Sequence, residues 1–261
     1  MGGRGQPVLF LHGWGLGHRT YARPLAMLVS RGCRVYAPSL PGFGGNPPLP
    51  ADQRTVAGYG EWAAQFLDAV DVGEAVLVVG HSFGGGVAVT LAHGHPELVR
   101  SLVLLNSVGG GRWQRAAGRP GYLGGRPVWS WTLQLARELL PPQRGVGLIV
   151  DMWYDVASNL VRNPCGLWEI GRMAAGVDLL AELADLASWE IPILALRGHA
   201  DGVVPRKAFE AVCAALGREG SVIRGNHCFL LADPASFDEV MANVLAVGSG
   251  SATHPLLEAV P

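Results

Sequence analysis

Ser82 lies in the stretch Gly80-His81-Ser82-Phe83-Gly84, after the apolar run Ala75-Val76-Leu77-Val78-Val79 and before Gly85-Gly86. A short apolar run followed by such glycines reads as a buried strand turning sharply into a helix. The glycine spacing has a steric meaning there. A residue at the tip of so tight a turn is forced into a sparsely populated backbone region, and side chains two positions away would collide. Glycine at positions 80 and 84 removes the collision and leaves the Ser82 hydroxyl standing above the sheet. The start of the following helix turns free N–H groups and its positive dipole end towards that hydroxyl. A serine so placed can act as a nucleophile once a base takes its proton.

Three other segments could complete such chemistry. Leu196-Arg197-Gly198-His199-Ala200-Asp201-Gly202-Val203-Val204-Pro205 puts a carboxylate just past a strand end. Gly225-Asn226-His227-Cys228-Phe229 does the same with a histidine, and Leu9-Phe10-Leu11-His12-Gly13-Trp14-Gly15 runs a strand into a glycine-rich turn. Taken singly, Asp201 also reads as a turn aspartate and His227 as a solvated loop histidine. In a parallel sheet, however, all of these positions fall at the carboxyl edge and can converge although far apart in sequence.

The elements that would position them alternate along the chain. Pro7–Leu11, Cys33–Ala37, Ala75–Val79, Ser101–Leu105, Ile191–Leu196 and Ser221–Ile223 read as strands, and their continuous apolar character predicts burial on both faces of a parallel sheet. Helices are predicted over Tyr21–Ser30, Gly60–Val70, Gly84–His93, Arg206–Leu216 and Pro234–Val247. Between Gly109 and Trp189 no strand pattern occurs, an interval far longer than the usual loop of about 2–6 residues. It reads as a helical insertion with helices over Val128–Leu140, Met152–Val161, Leu167–Ala174 and Asp178–Ala187, the last N-capped by Asp178. The division is therefore an α/β core over 1–109, a helical cap over 110–189, the rest of the core over 190–247, and a flexible Gly/Ser-rich tail over 248–261.

Composition narrows the function. The 261 residues are 49% hydrophobic and carry a formal net charge of −1, which gives no argument for nucleic-acid or membrane-surface binding. No apolar run reaches the ~18 residues of a membrane span. The first residues show no signal-peptide pattern, so a cytoplasmic protein is expected. The four cysteines are widely spaced and read as free thiols. No spacing resembles a metal site. Gly42-Phe43-Gly44-Gly45 follows no strand–helix junction and does not read as a dinucleotide site. Six of the eight tryptophans fall in the insertion, with Trp131 and Trp153 as candidate walls of an apolar pocket. The acid-free stretch bearing Arg112, Arg115, Arg119 and Arg126 reads as a solvated entrance loop.

Together, His12-Gly13-Trp14-Gly15, Gly80-His81-Ser82-Phe83-Gly84-Gly85, Asp201-Gly202-Val203-Val204-Pro205 and Asn226-His227 resemble the α/β-hydrolase fold, in particular its cap-bearing esterases, lipases and C–C hydrolases. The resemblance runs from about Pro7 to Val247 and includes the family's chain order of nucleophile, acid and histidine. It implies a mostly parallel sheet flanked by helices, with the cap after the sixth strand of the family pattern. Relatives usually carry two further strands at the start, whereas six residues precede Pro7 here, so a shortened sheet or a truncated start is expected. Some relatives place the acid where this chain has Asn106, which leaves Asp201 as the well-placed carboxylate.

The resemblance implies a role for each residue. Ser82 is the nucleophile, His227 the base and then the acid, and Asp201 the group that fixes the imidazole tautomer. The backbone N–H groups of Trp14 and Phe83 form the oxyanion hole, each such donor worth about 3–4 kcal/mol in the barrier. The Trp14 and Phe83 side chains are also candidate substrate contacts. His12 and His81 are expected to buttress the site rather than titrate. The activity implied is hydrolysis of a carboxylic ester of a small or medium apolar substrate, without a cofactor or metal. C–C bond hydrolysis, thioesterase or lactonase chemistry, and a non-catalytic ligand-binding role remain open.

Overall fold

The computed structural model describes residues 1–111 and 146–248. Six parallel strands form its sheet: β1 (Pro7–Leu11), β2 (Arg34–Tyr36), β3 (Val76–His81), β4 (Val99–Leu105), β5 (Ile193–Gly198) and β6 (Ser221–Ile223). Their spatial order is β2-β1-β3-β4-β5-β6, so the chain reverses its direction of travel across the sheet after β2. The register sets Leu11 beside Gly80, and His81 beside Leu105. Leu105 pairs in turn with Leu196. Every residue of β1 and β3 is buried. That explains the lack of polar alternation in these strands, since helices cover both faces.

The described helices are α1 (Ala22–Ser30), α2 (Val56–Ala69), α3 (Phe83–Gly94), α4 (Val146–Arg162), α5 (Pro164–Gly176), α6 (Leu180–Ser188), α7 (Arg206–Ala215), α8 (Phe229–Ala232) and α9 (Pro234–Gly248). Helices α2, α3, α6 and α7 pack along one another in succession, while α1 packs with α8 and α9. Helix α3 follows β3 without a linker beyond Ser82 and contacts β1, β3 and β4, so the turn bearing Ser82 is anchored on three strands.

Several boundaries differ from the sequence reading for local reasons. Helix α2 starts at Val56, earlier than predicted, because Thr55 caps it: the hydroxyl accepts the Gly58 N–H at 3.0 Å. Helix α8 was not predicted, and Asp233 separates it from α9. Asp178 is not the N-cap of α6. Residue 178 pairs with Gly109 in a parallel bridge, and the Leu179 N–H donates to the Gly109 carbonyl at 2.9 Å, which holds the chain extended there. Helix α6 therefore starts at Leu180, whose N–H is still accepted by Asp178 Oδ1 at 3.2 Å. That bridge closes the base of the interval between β4 and β5, where the described residues form α4, α5 and α6. The helix expected over Val128–Leu140 and the tail after Gly248 lie outside the described residues. Among those described, no helix is long and apolar enough to cross a membrane.

Candidate active site

Ser82 stands where β3 becomes α3, with φ 55° and ψ −116°. This is a sparsely allowed region for a non-glycine residue, with a strain of about 1–3 kcal/mol. The surroundings enforce it. The Ser82 N–H donates to the Leu105 carbonyl at 2.9 Å, and its own carbonyl accepts from Gly85 at 3.0 Å and Val108 at 3.2 Å. A Cβ on Gly80 would meet the Gly84 carbonyl oxygen at 2.5 Å, and one on Gly84 would strike the Leu11 carbonyl. Both glycines are thus required by the close approach of α3 to the strand ends.

Asp201 and His227 meet at the same edge of the sheet. His227 Nδ1 lies 3.0 Å from Asp201 Oδ2, and both residues are buried. Asp201 Oδ1 is occupied separately, accepting the N–H groups of Val203 at 2.8 Å and Val204 at 3.0 Å. Burial pushes the Asp201 carboxyl up, but His227, the Val203 N–H and Arg197 together hold it below its ordinary value. A carboxylate on Nδ1 fixes the tautomer that leaves Nε2 able to accept a proton.

The turn after β1 lies against Ser82. A Cβ on Gly13 would sit 3.3 Å from Ser82 Cβ and 3.1 Å from the Tyr21 hydroxyl. His12 braces this turn. Its Nε2 accepts the Leu40 N–H at 2.8 Å, so Nδ1 carries the proton and donates to the Gly13 carbonyl at 2.9 Å. Burial lowers its pKa to about 4, which keeps the ring neutral.

Residues 6–234 match the family model for the alpha/beta hydrolase fold. The chain belongs to the α/β-hydrolase fold family. Among curated relatives, 2-hydroxymuconate semialdehyde hydrolase of Pseudomonas putida is 38% identical over 219 residues, covering 79% of this chain and 74% of that protein. The enzyme of the same name from Pseudomonas sp. (strain CF600) is 42% identical, but over 110 residues that span 38% of its length. Pimeloyl-[acyl-carrier protein] methyl ester esterase of Aeromonas hydrophila is 27% identical over 92% of this chain and 95% of its own. A thermophilic esterase from Thermogutta terrifontis superposes with a TM-score of 0.73 at 20% identity, covering 94% of this chain and 91% of its own.

In this α/β-hydrolase His81 buttresses the site, in line with the expectation for it, whereas the parts that Asn106 and Tyr21 play in holding His227 escaped the sequence reading. The His227 carbonyl accepts from Asn106 Nδ2 at 2.7 Å and from His81 Nε2 at 2.9 Å. Asn106 Oδ1 in turn accepts the Gly198 N–H at 2.8 Å, so one side chain joins the ends of β4 and β5 to the histidine loop. His81 Nδ1 accepts from the Tyr21 hydroxyl at 2.7 Å, and that hydroxyl accepts the Gly13 N–H at 3.1 Å. The chain Gly13–Tyr21–His81–His227 therefore links the turn after β1 to the histidine. Burial, reinforced by the neighbouring His227, lowers the His81 pKa to about 3. The buried Arg197 guanidinium donates to the carbonyls of Asp201 at 2.9 Å and Val204 at 3.2 Å, bracing the loop that carries the acid.

The aromatic candidates divide. The Trp14 indole is buried and donates its N–H to the Leu167 carbonyl of α5 at 2.7 Å. The buried Phe83 ring packs edge-on against Tyr59, with centroids 5.1 Å apart. Trp153, on α4, is 50% exposed. Trp131 and the arginines at 112, 115, 119 and 126 lie outside the described residues. Among the described residues no group of three or more His, Cys, Asp or Glu side chains could hold a metal ion.

Proposed function

We propose that this α/β-hydrolase is a serine hydrolase that cleaves a carboxylic ester of a small or medium apolar substrate. The observation that carries the reading is the buried Asp201–His227 pair, 3.0 Å apart, at the sheet edge where Ser82 is held in a strained turn. In this reading the Ser82 oxygen attacks the ester carbonyl and its proton passes to His227 Nε2. The oxyanion accepts hydrogen bonds from the Phe83 and Trp14 N–H groups. His227 then protonates the departing alcohol, leaving an acyl group on Ser82. Water, losing its proton to His227, attacks that acyl group and releases the acid. Asp201 stabilises the imidazolium at both stages. No cofactor takes part, and the insertion between β4 and β5 acts as the cap over the acyl group.

A second reading is favoured by one finding, the 38% identity to a 2-hydroxymuconate semialdehyde hydrolase over most of the chain. The same groups would then cleave a C–C bond next to a carbonyl. One experiment separates the two. The protein is treated with a fluorophosphonate probe and the labelled residue located by mass spectrometry, and turnover is measured on p-nitrophenyl esters of graded acyl length beside a meta-cleavage dienoate. Labelling at Ser82 with ester turnover that rises with acyl length supports the esterase reading. Preferential turnover of the dienoate replaces it with the second, and failure to label Ser82 overturns both.

A further inference from the structure

The insertion between β4 and β5 holds the turn after β1 through a row of polar contacts that the reaction scheme does not use. Asp155 and Asn159 lie one helical turn apart on α4, and both are buried, with 5% and 2% of their surface exposed. Asp155 Oδ2 accepts the Thr20 hydroxyl at 2.7 Å, the Gly17 N–H at 2.9 Å and the Thr20 N–H at 3.4 Å. Asn159 Nδ2 donates to the Gly15 carbonyl at 3.0 Å, while its Oδ1 accepts the Gly44 N–H at 2.9 Å. The Trp14 indole reaches α5 through the Leu167 carbonyl. The two sides of the turn are thus held by different parts of the protein. His12 and Gly13 are fixed by the core, through Leu40 and Tyr21. Trp14, Gly15, Gly17 and Thr20 are fixed by the insertion. The 13–14 peptide, whose N–H belongs to Trp14, is the junction between them.

A carboxylate is costly to bury, and it is retained here with neutral donors bonded to it. Gly15, at φ +78°, has no side chain to hold its carbonyl in place by packing. Asn159 supplies that restraint. We infer that Asp155 and Asn159 are positioning residues for the oxyanion-binding turn, coupling Gly15, Gly17 and Thr20 to α4. The inference rests on the serine-hydrolase reading above. A displacement of α4 would then also displace the Trp14 N–H. The hole is then complete only when α4 is seated.

The test uses Asp155→Ala, Asp155→Asn and Asn159→Asp in the full chain. Asp155→Ala strips the acceptor from Gly17 and Thr20. Asp155→Asn keeps one acceptor oxygen. Asn159→Asp keeps its shape and the Gly44 bond but sets an oxygen against the Gly15 carbonyl, so it reports on the same turn even if Asp155→Ala fails to fold. Turnover of p-nitrophenyl butyrate is measured per Ser82 titrated with a fluorophosphonate, together with inhibition by n-butylboronic acid, whose Ser82 adduct is a tetrahedral anion. A misplaced oxyanion donor lowers kcat on the order of 10- to 100-fold. KM stays within about threefold, since the donor acts on the transition state. Boronate inhibition weakens by the same factor as kcat in Asp155→Ala and Asn159→Asp, and Asp155→Asn recovers most of the loss. Unchanged kcat and boronate affinity per titrated serine, with only a lower melting temperature, would overturn the inference and leave the serine-hydrolase reading intact. Failure of the wild-type protein to react with the fluorophosphonate or bind the boronate would overturn both.

Discussion

The Asp201→Asn substitution has a consequence that can be worked out from which oxygen is bonded to what. Oδ1 accepts two backbone N–H groups, from Val203 and Val204, and Oδ2 receives the His227 Nδ1–H. An asparagine at this position has one oxygen and one amide nitrogen to distribute. If the oxygen turns to His227, the amide group faces two buried N–H donors. Each orphaned donor costs about 1–3 kcal/mol, so the flip costs roughly 2–6 kcal/mol. The oxygen therefore stays on Val203 and Val204, and the NH2 group faces Nδ1. That nitrogen must then accept, the ring proton moves to Nε2, and His227 can no longer act as the base that the proposed mechanism assigns it. With each 1.4 kcal/mol worth tenfold, the competent arrangement is depleted by about 30- to 20,000-fold. The roughly 10,000-fold loss known for this change in a Ser-His-Asp protease falls inside that range. Since the backbone bonds survive, the fold should too. The assay is kcat on a p-nitrophenyl ester, with a thermal melt beside it and Asp233→Asn as control. Asp233 accepts from Ser236 N–H and hydroxyl at the start of α9, and asparagine keeps an acceptor oxygen there, so Asp233→Asn should cost less than about 1 kcal/mol of stability and no chemistry. An Asp201→Asn protein within tenfold of wild type, or an inactive Asp233→Asn protein, would refute the reasoning.

Other perturbations have equally definite outcomes. Ser82→Ala should abolish ester turnover, and Ser82→Gly should be both inactive and more stable than Ser82→Ala, because glycine accepts φ 55° without strain; equal melting temperatures would show that the turn is not strained. Stability should fall on acidification. His12 and His81 have folded pKa values of about 4 and about 3, below the unfolded value of 6.5, so the unfolded chain binds more protons and the stability present at neutral pH is lost as pH drops below 6.5. By pH 5 the two together cost about 4 kcal/mol, while Asp201, with a lowered carboxyl pKa, contributes nothing in that window; a melting temperature flat from pH 7 to 5 would refute this. Asn106→Ala should cost about 2–4 kcal/mol in denaturant titration, since it orphans the Gly198 N–H and puts a Cβ residue at φ +47° without the amide that favours it there.

What could be read from the chain was what is local. Gly80-His81-Ser82-Phe83-Gly84 follows an apolar run and announces a turn whose sterics involve neighbours a few residues away. The segments bearing Asp201 and His227 likewise follow strand patterns. The residues that hold these groups are different in kind. Tyr21 reaches His81 across 60 positions, Asn106 reaches His227 across 121, and Asp155 reaches Gly17 across 138. None of these pairings leaves a periodic trace. A weak signal existed for α4, where Asp155 and Asn159 are polar residues spaced four apart. The tryptophans are a different case. Their density suggests a pocket; Trp153, Trp168 and Trp189 are all substantially exposed, Trp189 stacks on the His93 ring at 5.2 Å, and Trp131 lies outside the described residues.

The two left-handed residues at strand ends explain how distant groups are brought into one register. Ser82 (φ 55°) follows β3 and Asn106 (φ 47°) follows β4. Each turns the chain off the sheet at the row where the parallel ladder ends. Each donates its N–H sideways to the next strand's side of the sheet, Ser82 to Leu105 and Asn106 to Leu196, both at 2.9 Å. Gly198 then donates to Asn106, and a Cβ on Gly198 would meet the Asn226 carbonyl at 2.5 Å, so the histidine loop lies directly against the end of β5. Hydrogen bonds thus run laterally from Ser82 through Leu105 and Asn106 to Gly198 and His227. A serine on β3 and a histidine after β6 are separated by two intervening strands, and no single loop could hold them in register. The lateral row does so because backbone groups at the ends of β3, β4 and β5 are bonded across, to the next strand or to the Asn106 amide, which also holds the His227 carbonyl. A slip of one residue in β4 or β5 would exchange side chains between the two packed faces and carry Asn106 or Gly198 out of the lateral row, so the ladder register ties the position of His227 to that of Ser82.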